Sequence, residues 1–181
     1  MPRAFAFLRA INVGGRTVRM EHLRTVFERM GFTGVETFIA SGNVVFDAGR
    51  QSPERAERRI EAGLRDAFGY EVETFVRSSK ELGEIVAREA FDPEAAAAAH
   101  AVYVLFLSTP LTASVRDRLR AAQTPTDEFR VFGRELYWLC RVPVVDSPLA
   151  GPHLGKILDG AITTSRNLKT LRRLAVKYGI A

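Results

Sequence analysis

The residues best placed to do chemistry are polar groups in short loops that leave ordered segments. Leu8-Arg9-Ala10-Ile11-Asn12-Val13-Gly14-Gly15 runs out of an apolar N-terminal stretch. A glycine-rich loop ahead of a helix can turn several backbone N–H groups toward an anion, with Arg9 and Asn12 beside them. Gly14 and Gly15 equally suit a tight turn that needs positive φ. Ser41-Gly42-Asn43 lies between two strand-like runs and reads as a hairpin turn or as a ligand clamp. Toward the C-terminus stand Lys156 and the pair Arg166-Asn167, the pair at or just before the last helix. An arginine there opposes the helix dipole. Binding a carboxylate or phosphate would explain it, and so would an internal salt bridge. The candidate ligand-binding set is Arg9, Asn12, Gly14, Gly15, Ser41, Gly42, Asn43, Lys156, Arg166 and Asn167. No catalytic residue is assigned.

Other chemistries find little support. The single cysteine, Cys140, sits in the strand-like run Leu136-Tyr137-Trp138-Leu139-Cys140, so no intrachain disulfide or cysteine cage can form. The three histidines, His22, His100 and His153, are not spaced with one another or with Cys140 as metal ligands. His22 belongs to the exposed face of the first helix. His153, in a Pro-rich loop, is the one acid–base candidate. There is no G-x-S-x-G elbow. There is no G-x-G-x-x-G and no P-loop, because Ile157 follows Gly155-Lys156. No cofactor and no metal are expected.

These loops need a scaffold, and the periodicities supply one. Ala4 to Leu8 reads as a strand. Met20, Leu23, Val26, Phe27 and Met30 have helical spacing, and Gly31 ends the helix. Val35–Ile39 and Val44–Asp47 form a hairpin around Ser41-Gly42-Asn43. Ser52-Pro53 starts a helix that buries Ala56, Ile60, Leu64, Ala67 and Phe68 and stops at Gly69. Val72–Val76 is a fourth strand. The order β-α-β-β-α-β is the split βαβ of a ferredoxin-like plait. Ser78 and Glu81 open a connecting helix as a capping box. Ala95 to Ala99 reads as a loop or frayed helix. Val102–Leu107, a helix near Thr112–Ala122, and the hairpin Glu128–Phe132 with Glu135–Cys140 then repeat the order. A loop over Arg141–Pro152 and helices near Leu154–Ala161 and Asn167–Tyr178 follow. The fold class is α+β, two tandem ferredoxin-like subdomains, 1–78 and 79–181, the second with an extra C-terminal helix.

The 181 residues are 46% hydrophobic and 26% charged, an ordinary globular composition. No apolar run approaches the roughly 20 residues that span a bilayer. The N-terminal apolar stretch is too short for a signal peptide, and a cytoplasmic protein without membrane attachment is expected. The net charge is +5. From Gly160 onward there is no Asp or Glu, and Arg166, Lys169, Arg172, Arg173 and Lys177 account for the whole excess. A basic terminal helix can attract phosphates, or its cations can simply suit the helix dipole.

The segments Leu8–Gly15 and Ile39-Ala40-Ser41-Gly42-Asn43-Val44-Val45-Phe46, with Met20, Leu23 and Thr164-Ser165-Arg166-Asn167, resemble a bacterial family catalogued as domain of unknown function 1697. The resemblance covers essentially the whole chain and implies a double plait, but no established activity. Ala10 stands where the family usually has Gly, and Leu168 where it usually has Trp, while Gly155-Lys156 matches a usual Ser-Lys.

Three functions remain open. One is binding of a phosphate- or carboxylate-bearing ligand, with single-stranded nucleic acid as the sharpest case, bases stacking on Phe5, Phe7 and Phe46. The second is a cofactor-independent enzyme with its site between the halves. The third is a structural or assembly module, the protein being a monomer or homodimer.

Overall fold

The computed structural model describes residues 3–12, 15, 17–39 and 42–180. The chain divides into two compact units, one ending at Glu84 and including Ile180, the other Ile85–Gly179.

In the first unit β1 (Arg3–Leu8), α1 (Met20–Arg29), β2 (Thr33–Thr37), β3 (Asn43–Asp47), α2 (Pro53–Phe68) and β4 (Thr74–Ser78) follow one another. The sheet order is β2-β3-β1-β4, antiparallel throughout. Alternation decides which side chains meet the helices. Ala4, Ala6, Leu8, Val44, Phe46 and Val76 pack against Leu23, Val26 and Phe27 of α1 and Ala56, Ile60 and Leu64 of α2. Phe46 and Phe32 meet edge-on with ring centres 4.6 Å apart. The start of α2 is fixed by Ser52, whose side chain accepts from Arg55 N–H, and by Pro53 in the first turn. Gly69, at φ +76°, ends it in the left-handed cap that favours glycine.

The second unit repeats the order. After α3 (Ser79–Ala87) and α4 (Pro93–Ala98) come β5 (Ala101–Leu107), α5 (Ala113–Ala121), β6 (Asp127–Phe132), β7 (Glu135–Cys140), α6 (Pro152–Ile157), β8 (Thr163–Asn167) and α7 (Leu168–Lys177). The sheet order is β6-β7-β5-β8, again antiparallel. Leu105, Leu107, Leu136 and Trp138 pack with Val115 and Leu119 of α5 and Leu154 and Leu158 in and just after α6. Both halves are therefore βαββαβ plaits. Ser78 and Glu81 form the capping box, with Ser78 N–H donating to Glu81 Oε2 at 2.8 Å and Glu81 N–H to Ser78 Oγ at 3.2 Å.

Several expectations change or sharpen. Ala67 is exposed on α2 rather than buried, and Phe68 is only partly buried against the core. The alanine tract is helical, because Asp92 caps Ala95 N–H and Pro93 begins the turn. Thr163–Asn167 is a strand that the sequence did not suggest, so Arg166 stands in a sheet while still lying just before α7. His153 lies in the first turn of α6, not in a loop.

Candidate anion-binding site

The two N-terminal motifs meet. Leu8 N–H donates to Gly42 O at 2.8 Å, and Phe38 N–H donates to Asn43 O at 2.9 Å. Asn43 is buried and its amide donates to Phe38 O at 3.1 Å, closing the turn from inside. Gly42 has φ +71°, and a Cβ there would stand 3.0 Å from Ile11 Cγ2 and 3.3 Å from Leu8 Cβ. Asn12 Oδ1 accepts from Val18 N–H at 2.7 Å, pinning the loop to the approach of α1. Arg9 is exposed and pairs with Glu73 at 3.2 Å. Gly15, at φ +80°, is exposed with open space around it. Gly14 and Ser41 lie outside the described residues. The described polar groups here hold loop to loop, and among them Asn12 and Gly15 are both exposed and clear of an ion pair.

The C-terminal candidates belong to the second unit. Arg166 is buried at 8% exposure, and its guanidinium donates to Thr164 Oγ1 at 2.9 Å and Ser165 O at 2.8 Å. Burial pulls its pKa down to about 10. Arg77 is its counterpart in β4. It is fully buried, donates to Val76 O at 2.8 Å and lies 3.7 Å from Glu57. Arg77 pairs with Phe5 of β1, and Arg166 with Val104 of β5. These equivalent positions reveal a residue-level echo of the two halves. Asn167 caps α7 by accepting from Lys169 N–H at 2.8 Å. Lys156 is exposed on α6.

Immediately beyond Asn167 is a hollow of about 400 Å³. Its lining includes Ala101 and Val102 of β5, Tyr137 of β7, Leu168 of α7, Phe91, and Ala96 and Ala97 of the alanine helix. Arg88, Glu89, Lys169 and Arg172 complete it, three cations against one carboxylate. Tyr137 is fully buried and its hydroxyl donates to Ile85 O at 2.9 Å. Burial pushes its pKa up to about 12, against the opposing charge of Arg88. It is therefore a neutral hydrogen-bonding group at neutral pH. Arg88 stacks over the Phe132 ring at 4.5 Å, and Arg172 Nε reaches Val86 O at 3.4 Å. Small side chains make the space and long cations surround it, a combination that suits a mostly apolar molecule with an anionic end.

The second unit holds two other polar features. A hollow of about 720 Å³ between α5 and β6 has Arg116, Arg120 and Arg130 in its lining. Arg120 pairs with Asp117 at 3.1 Å and Arg130 bonds Gln123 at 3.0 Å, so two of the three hold protein partners, as Arg88 and Arg172 do in the first hollow, but no alanine-lined wall faces them among the described residues. Asp127 is a buried carboxylate with four donors: Thr124 and Thr126 hydroxyls at 2.8 and 2.7 Å, Trp138 Nε1 at 2.9 Å and Ser147 Oγ at 2.7 Å. Burial raises its pKa, but the four hydrogen bonds outweigh this and hold it below the ordinary value. With every bond turned inward it ties β6, β7 and the Ser147 turn together. Cys140 is buried, and burial with the charge of Asp127 pushes its thiol up to about 12. Among the described residues no three His, Cys, Asp or Glu side chains gather as a metal site, and no helix is long and apolar enough to cross a membrane.

A family model described as protein of unknown function, DUF1697, matches residues 1–137. The chain belongs to this family. The conserved bacterial protein SP0830 of Streptococcus pneumoniae has a similar structure, with a TM-score of 0.71 at 19% identity, covering 96% of this chain and 97% of that one. At that identity the likeness concerns the fold. No curated protein matches the chain.

The fold places two of the positions that the sequence singled out. Ala10 adopts φ +52°, a left-handed conformation that glycine takes without strain. Leu168 lines the hollow. The signal for the hollow is diffuse in the sequence. Asp92-Pro93 marks a helix start as clearly as Ser52-Pro53 does, and a run of alanines on such a helix leaves volume unfilled.

The nucleic-acid reading loses its stacking platform. Phe5, Phe7 and Phe46 are buried to 1% or less. Phe46 faces the α1–α2 core. None can receive a base on its face.

Proposed function

We propose that this protein binds a small anionic molecule with a largely apolar body, in the hollow bounded by α4, β5 and the first turns of α7. The observation that carries the reading is the pairing of an alanine-lined wall with Arg88, Lys169 and Arg172 in one cavity of about 400 Å³. That volume lies within the range of ordinary small-molecule sites. The buried Tyr137 and Leu168 give the body an apolar floor. A carboxylate or phosphate group at the mouth gains charge-assisted hydrogen bonds from the guanidiniums. This keeps the anion-binding expectation and moves its centre from the glycine loops to the segment just after Asn167.

Isothermal titration calorimetry with octyl phosphate tests the reading, with octanol and inorganic phosphate as controls. Octyl phosphate is expected to bind more tightly than either control. Arg172→Ala should weaken it about tenfold, the loss of one partly solvated charge-assisted bond. Ala97→Phe should block it by filling the wall. Equal binding of octyl phosphate to wild type and Ala97→Phe would refute the assignment.

A further inference from the structure

We propose that β8 is a strand-addition site for an extended acidic peptide. The proposal concerns a strand edge rather than the hollow, although Lys169 and Arg172 border both, and rests on how the four outer strands are finished. An outer strand presents unpaired N–H and C=O groups, and proteins blunt such edges. The first unit does so on both sides. On β4 the outward N–H groups of Thr74, Val76 and Ser78 donate to Glu61 at 3.0 Å, Glu57 at 2.8 Å and Glu81 at 2.8 Å. On β2 the pairing register shifts between Thr33 and Glu36, an irregularity that interrupts a regular edge. In the second unit β6 is capped as well. Phe129 N–H donates to Gln123 Oε1 at 3.0 Å, and its carbonyl accepts from Arg130 at 2.8 Å.

The fourth edge differs. Leu107 N–H points to the β7 side, donating to Arg134 O at 2.9 Å. By alternation Val104 and Phe106 then bond Arg166 and Thr164, and the N–H groups of Thr163, Ser165 and Asn167 point away from the sheet. They occupy the places of Thr74, Val76 and Ser78. Among the described residues no side chain caps them, and Ser165 is exposed. One carbonyl on this edge, that of Ser165, receives Arg166. The N–H row stays open to an incoming strand.

Charge selects the occupant. No Asp or Glu occurs from Gly160 onward. Lys156 precedes β8, and Lys169, Arg172 and Arg173 follow it, all exposed. The nearest preceding carboxylate in the chain, Asp159, pairs with Arg118 at 3.4 Å. A second copy of β8 would bring the same cations against these, whereas a peptide rich in Asp or Glu would meet them with opposite charge.

The test uses the full chain and two labelled peptides of about eight residues, alternating Glu with Val or Lys with Val. Fluorescence anisotropy gives binding, and amide hydrogen exchange gives the place. The Glu–Val peptide should bind at least tenfold more tightly than the Lys–Val peptide and slow exchange at Thr163 and Ser165 at least tenfold. Ser165→Pro should abolish binding while circular dichroism stays native, since it removes an N–H that the β5 ladder does not use. If that variant fails to fold, Lys156→Glu with Arg173→Glu, both outside the hollow, should still weaken binding at least fivefold. Equal affinity for both peptides would overturn the proposal, as would unchanged exchange at Thr163 and Ser165. Protection that grows with protein concentration and needs no peptide would overturn it in favour of a second copy.

Discussion

Replacing Asp127 by asparagine probes a buried carboxylate with four hydrogen-bond donors. Its carboxylate receives Thr124 and Thr126 on one oxygen and Trp138 and Ser147 on the other. Asparagine can keep the oxygen facing the indole and Ser147, because Trp138 Nε1 can only donate. Its amide nitrogen then faces the two threonine hydroxyls, which must turn to accept. All four bonds also lose their charge assistance. Hydrogen bonds to charged groups contribute about 1.5–3 kcal/mol against about 1 kcal/mol for neutral ones. With partial compensation from the turned hydroxyls, the expected loss is about 2 kcal/mol. Asp127→Ala abandons all four donors and should cost about 4 kcal/mol or more. Urea unfolding followed by the fluorescence of Trp138, the only tryptophan, gives both values. The pH dependence supplies a second check. A carboxyl whose folded pKa lies below its ordinary value of 3.8 stabilises fully above that value, and the stability is lost as pH falls through the folded pKa. The gap between wild type and Asp127→Asn should therefore be complete at pH 7 and shrink only well into the acid range. Losses below 0.5 kcal/mol for both variants, or a gap that persists unchanged in acid, would refute the reasoning.

Three further outcomes follow from single positions. Ala10→Gly relieves a left-handed residue at φ +52° but loosens the unfolded chain, and should raise stability by about 0.5 kcal/mol in thermal unfolding. Gly42→Ala places a Cβ 3.0 Å from Ile11 at φ +71° and should cost about 1–3 kcal/mol by urea titration. Cys140, buried and with its thiol raised to about 12, should resist iodoacetamide at pH 8 in the native protein and react once urea unfolds it, as read by mass spectrometry.

Local patterns carried most of the fold. Ser52-Pro53 with Gly69, Thr112 ahead of Val115 and Leu119, and the Ser78–Glu81 box each encode an element within a few residues, and each appears as expected. β8 is not legible because Thr163–Asn167 is polar, and an outer strand with an exposed Ser165 lacks the apolar alternation that marks a half-buried one. The second unit's site features were illegible for another reason. The four donors to Asp127 come from segments as far apart as Thr124 and Ser147, and the hollow needs Arg88, Val102, Tyr137 and Arg172 from different elements. Such groups meet only through the sheet order β6-β7-β5-β8. The glycine loops were legible as motifs, yet Asn43 and Gly42 serve the turn itself, a role that sequence alone could not separate from ligand binding.

The most direct measurement is amide chemical-shift mapping of the full chain during a titration with octyl phosphate. The account expects the shifts to centre on Ala97, Val102, Leu168 and Lys169, around the α4–β5–α7 hollow. Shifts centred instead on Arg9, Asn12 and Gly42, or on Arg116 and Arg130, would contradict it, and so would no shift at all.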